Sequence, residues 1–424
     1  MKNPIRAAAL AVVRSSAWTK TSRWIRGKED WTAMEYDYDG AYISAEVVVY
    51  FGDPGSKFYQ LEQWIPVLEE LNRIHKVAIV IRRPSSLIKA REPTSLPLTL
   101  KRRFDPLHTF YHANDFRLAL YVNNGVTNFQ SIGYAPMVHV HVNHGESDKF
   151  SMVSNQAKAY DRVFVAGQAA IDRHRRVLLD FDENKLVRVG RPQLDVARPP
   201  ELAKSPRRTV MYAPTWEGEN ESNNYSSVDL FGPQIVEALL SLENTRLIYK
   251  PHPRIEKSKD PHVQSANERI YELIEEANES NEFAADDNRC HQVLMQGDVL
   301  AMFDSVDALI TDVSSVGLDF LYLCPQKPLV LTDRRNDVAK LHRDAPVSRA
   351  TPVINCDTAS NLVTFLTNAL AHDSDTNTRE QLREYYFGQG GRGTSTRLFT
   401  EAVSALITQR DNDLSAHNHS DLQT

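Results

Sequence analysis

The sequence predicts an α/β protein of two doubly wound, parallel-sheet domains facing a cleft. Three observations carry that expectation. Short runs of Val, Ile, Leu, Tyr and Phe recur along the 424 residues, most of them separated by helix-sized gaps. The series pauses once, near residue 200, in a Pro-rich charged stretch, and then starts again. The runs are continuous rather than alternating, which is how strands of a parallel sheet read when helices cover both faces.

In chain order, the run 46–51 (EVVVYF) ends at Gly52-Asp53-Pro54-Gly55-Ser56, and Leu61, Trp64, Ile65, Leu68 and Leu71 follow at helical spacing. Further runs lie at 76–81 (KVAIVI), 118–122, 137–142 (MVHVHV), 162–165 and 185–189. The stretch 198–208 (RPPELAKSPRR) reads as a linker. Beyond it, runs at 209–213, 246–250, 308–311 and 328–331 begin a second series, with helices at 268–278 and 314–323. The expected organisation is a basic N-terminal segment over 1–40, α/β domains over 41–198 and 209–409, and a flexible polar tail over 410–424.

Composition narrows the function. With 42% hydrophobic and 25% charged residues, the chain is neither collagenous, coiled-coil nor wholly disordered. A net charge of −6 argues against general nucleic-acid binding. Cys290, Cys324 and Cys356 stand too far apart for a disulfide framework or a zinc knuckle and fit a reducing compartment. No apolar stretch approaches the roughly 18–20 residues of a membrane-spanning helix, so a cytoplasmic location is expected. Residues 1–28 carry seven cations and no acid, along with Trp18 and Trp24. This segment suits the anionic inner face of a plasma membrane, or equally a helix docked on the next domain.

Ligands of doubly wound sheets bind beyond the carboxyl ends of the strands, which makes polar residues directly after predicted strands the candidates. Asn143-His144-Gly145 follows 137–142. An imidazole there can take a proton from a hydroxyl at neutral pH, although a turn histidine would look the same. Pro214-Thr215 follows 209–213, where Thr215 could cap a helix or donate to a phosphate. In Lys250-Pro251-His252-Pro253-Arg254, two prolines stiffen the backbone while Lys250 and Arg254 add charge suited to an anion. Asp312-Val313-Ser314-Ser315 opens a helix whose first N–H groups and two hydroxyls make a phosphate site; for one serine alone, a plain cap is the alternative. His139 and His141 form an HxH with no further ligand set, so no metal is expected. The spacing Gly388-x-Gly390-x-x-Gly393 fits a dinucleotide fingerprint, but no βαβ unit follows it.

As an ordered set, these motifs resemble the CDP-glycerol glycerophosphotransferase family, the teichoic-acid glycerol-phosphate primases and polymerases. The family order of HG…K, APT, KPHP and D-x-SS plus an acid appears as His144-Gly145…Lys149, Ala213-Pro214-Thr215, Lys250-Pro251-His252-Pro253 and Asp312…Ser314-Ser315…Asp319. The resemblance covers residues 45–400 and implies a GT-B-like fold of two Rossmann-like domains, with the donor held mainly by the second. By matched position, His144 and His252 become catalytic histidines. Gly145, Pro214, Thr215, Lys250, Ser314, Ser315 and Asp319 become donor-site residues, joined by Pro251, Arg254 and Asp312 from the same motifs. Asn143 stands where the family has an aromatic, and Glu146-Ser147-Asp148 where it has Thr and apolar residues. The family's Gly-aromatic-Pro-Arg-Asn-Asp turn reads Gly190-Arg191-Pro192-Gln193-Leu194-Asp195, without the arginine expected at Gln193.

Residues and resemblance together imply phosphoryl transfer without a cofactor. A hydroxyl of a lipid-linked or polymeric acceptor attacks the phosphorus bearing the polyol of CDP-glycerol, or a related CDP-polyol, and CMP leaves. His144 would be the base, while His252, Lys250 and the Ser314-Ser315 helix start would hold and neutralise the pyrophosphate. A nucleotide-sugar glycosyltransferase and a non-catalytic module binding a wall polymer are the rival classes.

Overall fold

The computed structural model describes Tyr38 and residues 42–420 apart from 282, 284–286, 372 and 374. The basic segment expected over 1–40 therefore lies outside the described residues except for Tyr38.

Two sheets form, and their strands run parallel, as in β1 with β2 and β4 and in β8 with β9 and β11. The first contains β1 (Val47–Phe51), β2 (Val77–Ile81), β3 (Leu98–Leu100), β4 (Leu118–Tyr121), β5 (Val138–His141), β6 (Arg162–Val165) and β7 (Leu186–Arg188), in the order β3-β2-β1-β4-β5-β6-β7. The second contains β8 (Arg208–Ala213), β9 (Thr245–Tyr249), β10 (Gln292–Val293), β11 (Ala308–Thr311), β12 (Leu329–Thr332) and β13 (Val353–Ile354), in the order β10-β9-β8-β11-β12-β13. By packing, the described residues divide into two compact units: those up to His144 with Ala159–Val163 and those from Thr400 on, and Gly145–Lys158 with Phe164–Phe399. The division runs through β6.

In the first unit the chain winds outward from β1 through β2 to β3, then returns to place β4 on the other side of β1. Every residue of β1 and β2 is at most 1% exposed, as their unbroken apolar runs require. Helix α1 (Ile65–Leu71) buries Ile65, Val67, Leu68 and Leu71; α2 (Pro84–Ala90) begins on Pro84, and α3 (Phe104–His112) follows β3. Pro at the first helical position gives up only an N–H that has no partner within the helix.

The second unit includes α4 (Gln168–Val177) and repeats the same winding about β8, reversing between β8 and β11. Side chains of β8 alternate between two cores. Val210 and Tyr212 pack with α5 (Val228–Ser241) and α6 (Pro261–Ser280) through Phe231, Ile235, Leu239, Ile270 and Ile274. Met211 and Ala213 pack instead with Leu318, Phe320 and Leu321 of α7 (Ser315–Leu323) and with Phe387 of α8 (Thr376–Phe387). The stretch read as a linker is pinned to this unit: Leu202 enters the second core, Arg198 pairs with Asp298 at 2.6 Å, and Arg246 donates to the Ala203 carbonyl at 2.8 Å.

Gly388, at φ +79°, stops α8 in the left-handed region, so the glycine-rich run joins two helices instead of following a strand. Residues 410–420, read as part of a polar tail, continue α9 (Thr394–Ser420) beyond its apolar stripe at Phe399, Val403, Leu406 and Ile407. Among the described residues, no helix is long and apolar enough to cross a membrane.

The fully buried Phe320 ring meets Phe303 edge-on at 5.1 Å and holds α7 on its sheet. Truncation to Ala is expected to cost about 3–5 kcal/mol, read from the urea midpoint; a loss below about 1 kcal/mol would mean that α7 is anchored elsewhere.

Candidate active site

The reversal between β8 and β11 leaves their carboxyl ends open to a ligand. Asp312, the residue after β11, is fully buried there. Its Oδ2 accepts the Thr215 N–H at 2.7 Å and its Oδ1 accepts the Thr332 hydroxyl at 2.6 Å. Burial pushes this carboxyl up to about 6, against the pull of its hydrogen bonds and of Lys149. With both oxygens engaged inward, Asp312 fixes Thr215 in place. The Thr215 hydroxyl in turn accepts from Lys149 Nζ at 2.9 Å. Burial brings the Lys149 ammonium down to about 8, with Asp312 opposing, and it lies 5.6 Å from the Tyr225 ring centre.

The KPHP loop extends the β8–β9 ladder. Lys250 N–H donates to Tyr212 O at 2.9 Å and His252 N–H to Pro214 O at 3.1 Å, so Pro214 contributes its carbonyl. Arg254 N–H donates to His252 Nδ1 at 3.1 Å, which leaves the neutral ring's proton on Nε2. Burial, then the charges of Lys149, Arg254 and Lys250, push the imidazole down to about 4. His252 is therefore a neutral Nε2–H donor at pH 7: it can hold a phosphate oxygen but adds no charge to neutralise one. Burial also lowers the largely enclosed Lys250 ammonium, while Glu201 and Asp298 raise it. Pro251 is buried, and the Arg254 guanidinium stacks 4.2 Å from the Trp216 ring centre.

Ser314 caps α7 in an extended conformation, yet its hydroxyl makes no capping bond and instead lies 3.3 Å from Thr311 Oγ1. The first-turn N–H groups of α7 thus have no side-chain cap, unlike in a plain N-cap. A Cβ placed on Gly145 would lie 3.8 Å from Ser315 Cβ and 4.0 Å from Arg191 Nη2, so these three residues converge. Arg191 Nη1 donates to Asp319 Oδ1 in a buried ion pair, and Arg191 Nε is buried with no partner among the described residues. Burial raises Asp319 to about 6 against the pull of Arg191. The turn thus brings the Arg191 guanidinium to α7, while Gln193, where the resemblance expects an arginine, is buried with its Oε1 lacking a partner among the described residues. The acids after Gly145 are spoken for: Arg173 on α4 bonds Glu146 at 2.6 Å and Asp148 at 3.0 Å, and Tyr386 donates to Asp148.

The first unit holds His144, half-buried after β5. Asn143 takes a left-handed turn at φ +53°, which its short polar side chain tolerates. Its Oδ1 accepts His144 N–H at 2.8 Å, its carbonyl accepts Trp64 Nε1–H at 2.6 Å, and the His144 ring stands edge-on to Tyr59 with centres 6.0 Å apart. The HxH pair belongs to the core. Both ring nitrogens of His139 are bonded, to Tyr121 OH at 2.8 Å and Tyr134 O at 2.9 Å, and His141 stacks on Tyr160. Among the described residues, no group of three or more His, Cys, Asp or Glu could hold a metal. Lys149, quoted in its motif without a role, and Arg191, left open by the turn's spacing, join the site through contacts that span the sequence.

Lys149 is cationic below about pH 8 and loses its charge above. Affinity for inorganic pyrophosphate, measured by calorimetry, is expected to fall between pH 7 and 9, approaching about tenfold per pH unit above 8. Lys149→Arg should flatten that profile, and an unchanged slope in the variant would remove Lys149 from the anion site.

The family model for CDP-glycerol:poly(glycerophosphate) glycerophosphotransferase matches residues 119–400, about two thirds of the chain. The match opens within β4, later than the resemblance drawn from residue 45. Among solved structures, the wall teichoic acid polymerase TagF aligns at 12% identity and TM-score 0.53, over 93% of this chain and 98% of its own. The glycosyltransferase of kitacinnamycin gives 11% and 0.53 over 86% and 100%. UDP-GlcNAc 2-epimerase from Neisseria meningitidis, bound to UDP-GlcNAc, gives 11% and 0.52 over 85% and 99%. At these identities the likeness concerns the fold alone, two doubly wound sheets of GT-B type. No curated protein sequence matches the chain. The four motifs stand in family order, three of them on the strand ends of one sheet, and the family model spans them all: the chain belongs to the CDP-glycerol:poly(glycerophosphate) glycerophosphotransferase family.

Proposed function

We propose that this enzyme moves glycerol phosphate from CDP-glycerol to a hydroxyl of a polymeric or lipid-linked teichoic-acid acceptor and releases CMP. The observation that carries the reading is the anion-ready cluster at the β8/β11 reversal: the Lys149–Thr215 pair, the His252 Nε2–H, the uncapped start of α7 and the Arg191–Asp319 pair. His144 takes the proton of the acceptor hydroxyl, whose oxygen attacks the phosphorus bearing glycerol. The bond from that phosphorus to the CMP oxygen breaks, and Lys149, His252 and the α7 amides stabilise the charge that leaves. Asp312 and Asp319 act through Thr215 and Arg191. The basic segment 1–28 suits an anionic leaflet, which would bring the enzyme to the inner membrane face where a lipid-linked acceptor lies.

Purified protein offered CDP-glycerol, CDP-ribitol and UDP-sugars is expected to release CMP from CDP-glycerol with acceptor present; release of UDP alone would replace this reading with a glycosyltransferase. His144→Ala should bind CDP-glycerol normally yet lose about 10²–10⁴ in turnover, and more than about a tenth of wild-type rate in a folded variant rules out the base role. His252→Ala should lose donor affinity and turnover together, because its contact exists before the transition state. Arg191→Gln should weaken donor binding by about tenfold or more, with partial recovery in Arg191→Lys; unchanged affinity would make the pair purely structural.

A further inference from the structure

The first sheet also reverses once, between β1 and β4, and the crevice at that reversal is unused by the chemistry above. β1 runs into Gly52-Asp53 and β4 into Asn123-Asn124-Gly125. Hydrogen bonds lock the two loops together. Tyr50 OH donates to Thr127 O at 2.7 Å and Ser86 Oγ to Asp53 O at 2.6 Å, while Asn123 Nδ2 donates to Asp53 Oδ2 at 3.0 Å and Gln60 Oε1 at 2.8 Å. Asn123 Oδ1 accepts the Gly125 N–H at 3.1 Å. Asn128, 1% exposed, directs its amide hydrogens to Asn123 O at 2.7 Å and Tyr160 OH at 2.9 Å. Its Oδ1 is buried with no partner among the described residues. That oxygen faces the bare side of Gly125. A Cβ placed there would lie 2.9 Å from Asp53 Oδ2, 3.1 Å from Asn123 Oδ1 and 3.4 Å from Asn128 Oδ1, so three acceptor oxygens converge where no side chain stands. A buried acceptor left unpaired is costly, and O–H donors of a ligand remove that cost. One carboxylate, already paired with Lys57 Nζ at 3.2 Å, among amide oxygens suits neutral hydroxyls, whereas Ca²⁺ and Mg²⁺ gather about six or more oxygen ligands. Asp53 and Gly125 are only partly buried, which opens the cluster to the surface.

We propose that this crevice recognises the terminal polyol of the acceptor by binding the hydroxyl next to the one that reacts. The proposal rests on the acceptor reading above. β5, which leads to His144, pairs with β4, so their carboxyl ends lie about 4.8 Å apart. The cluster also extends toward His144: Gln60 Nε2 lies 3.4 Å from Tyr59 OH, and the Tyr59 ring stands edge-on to His144 with centres 6.0 Å apart. A three-carbon polyol spans one strand spacing, which lets its end hydroxyl meet His144 while the next meets Asp53 and Asn128. The site thereby selects a polyol terminus over a lone hydroxyl.

The test uses the full chain without donor. Calorimetry compares two synthetic acceptors, a glycerol phosphate dimer ending in glycerol and its analogue ending in propane-1,3-diol, which lacks only the neighbouring hydroxyl. Wild type should favour the glycerol end by about tenfold. Gly125→Ala, at a φ of −68° that suits alanine, sets a methyl among the three oxygens without removing a group. Asp53→Asn keeps the shape and removes the carboxylate. Both should bind the glycerol end about tenfold more weakly and lose the preference, with CDP-glycerol affinity unchanged. Gly133→Ala, whose added Cβ would meet only Phe129 O at 3.8 Å, should match wild type. A wild type indifferent to the missing hydroxyl, or variants that keep the preference, overturns the subsite. Lost CDP-glycerol affinity in the same variants overturns it too, by placing these residues at the donor. Should wild type release no CMP while Gly125→Ala still loses the preference, the proposed reaction fails and the polyol site stands.

Discussion

One buried carboxylate holds the candidate site together. Asp312 sits where the chain reverses between β8 and β11, and its two oxygens bind the loop after β8 and the last residue of β12. Beyond the last ladder bonds, the loops at the carboxyl ends of parallel strands are held only by what their side chains reach. A carboxylate shared by two of those loops, out of water, converts them into a rigid floor. Thr215, and through it Lys149, take their positions from that floor. The raised Asp312 carboxyl records the cost of burial, which three hydrogen bonds and a nearby ammonium only partly offset.

Above this floor the site concentrates positive charge in an enclosed place. Lys149, Lys250 and His252 are all shifted toward their neutral forms, chiefly by burial, and His252 also by the cations around it. Under the proposed function, a bound phosphate would return the solvation that each ammonium lost. Affinity and charge stabilisation would then come from groups already in place, leaving little reorganisation for the chemical step.

Much of this was legible in the sequence because parallel strands covered on both faces leave unbroken apolar runs. β6 and β11 fall where 162–165 and 308–311 were read. β3, β10 and β13 escape the sequence reading, since their two or three residues are not part of a longer apolar run. The motif residues could be placed at strand ends, but their protonation could not: the neutral His252 follows from burial first and then from the charge of Lys149, distant in sequence. Likewise Glu146 and Asp148 looked like added acids until Arg173, on a later helix, proved to bind both.

The Arg191–Asp319 pair bears on which substitutions this loop can accept. The ion pair ties the segment between β7 and β8 to α7, and both partners are buried, so losing either one leaves a charge unmatched out of water. Replacing both together by apolar residues of like volume leaves no such charge behind, which makes this a pair that tolerates joint change and resists single change.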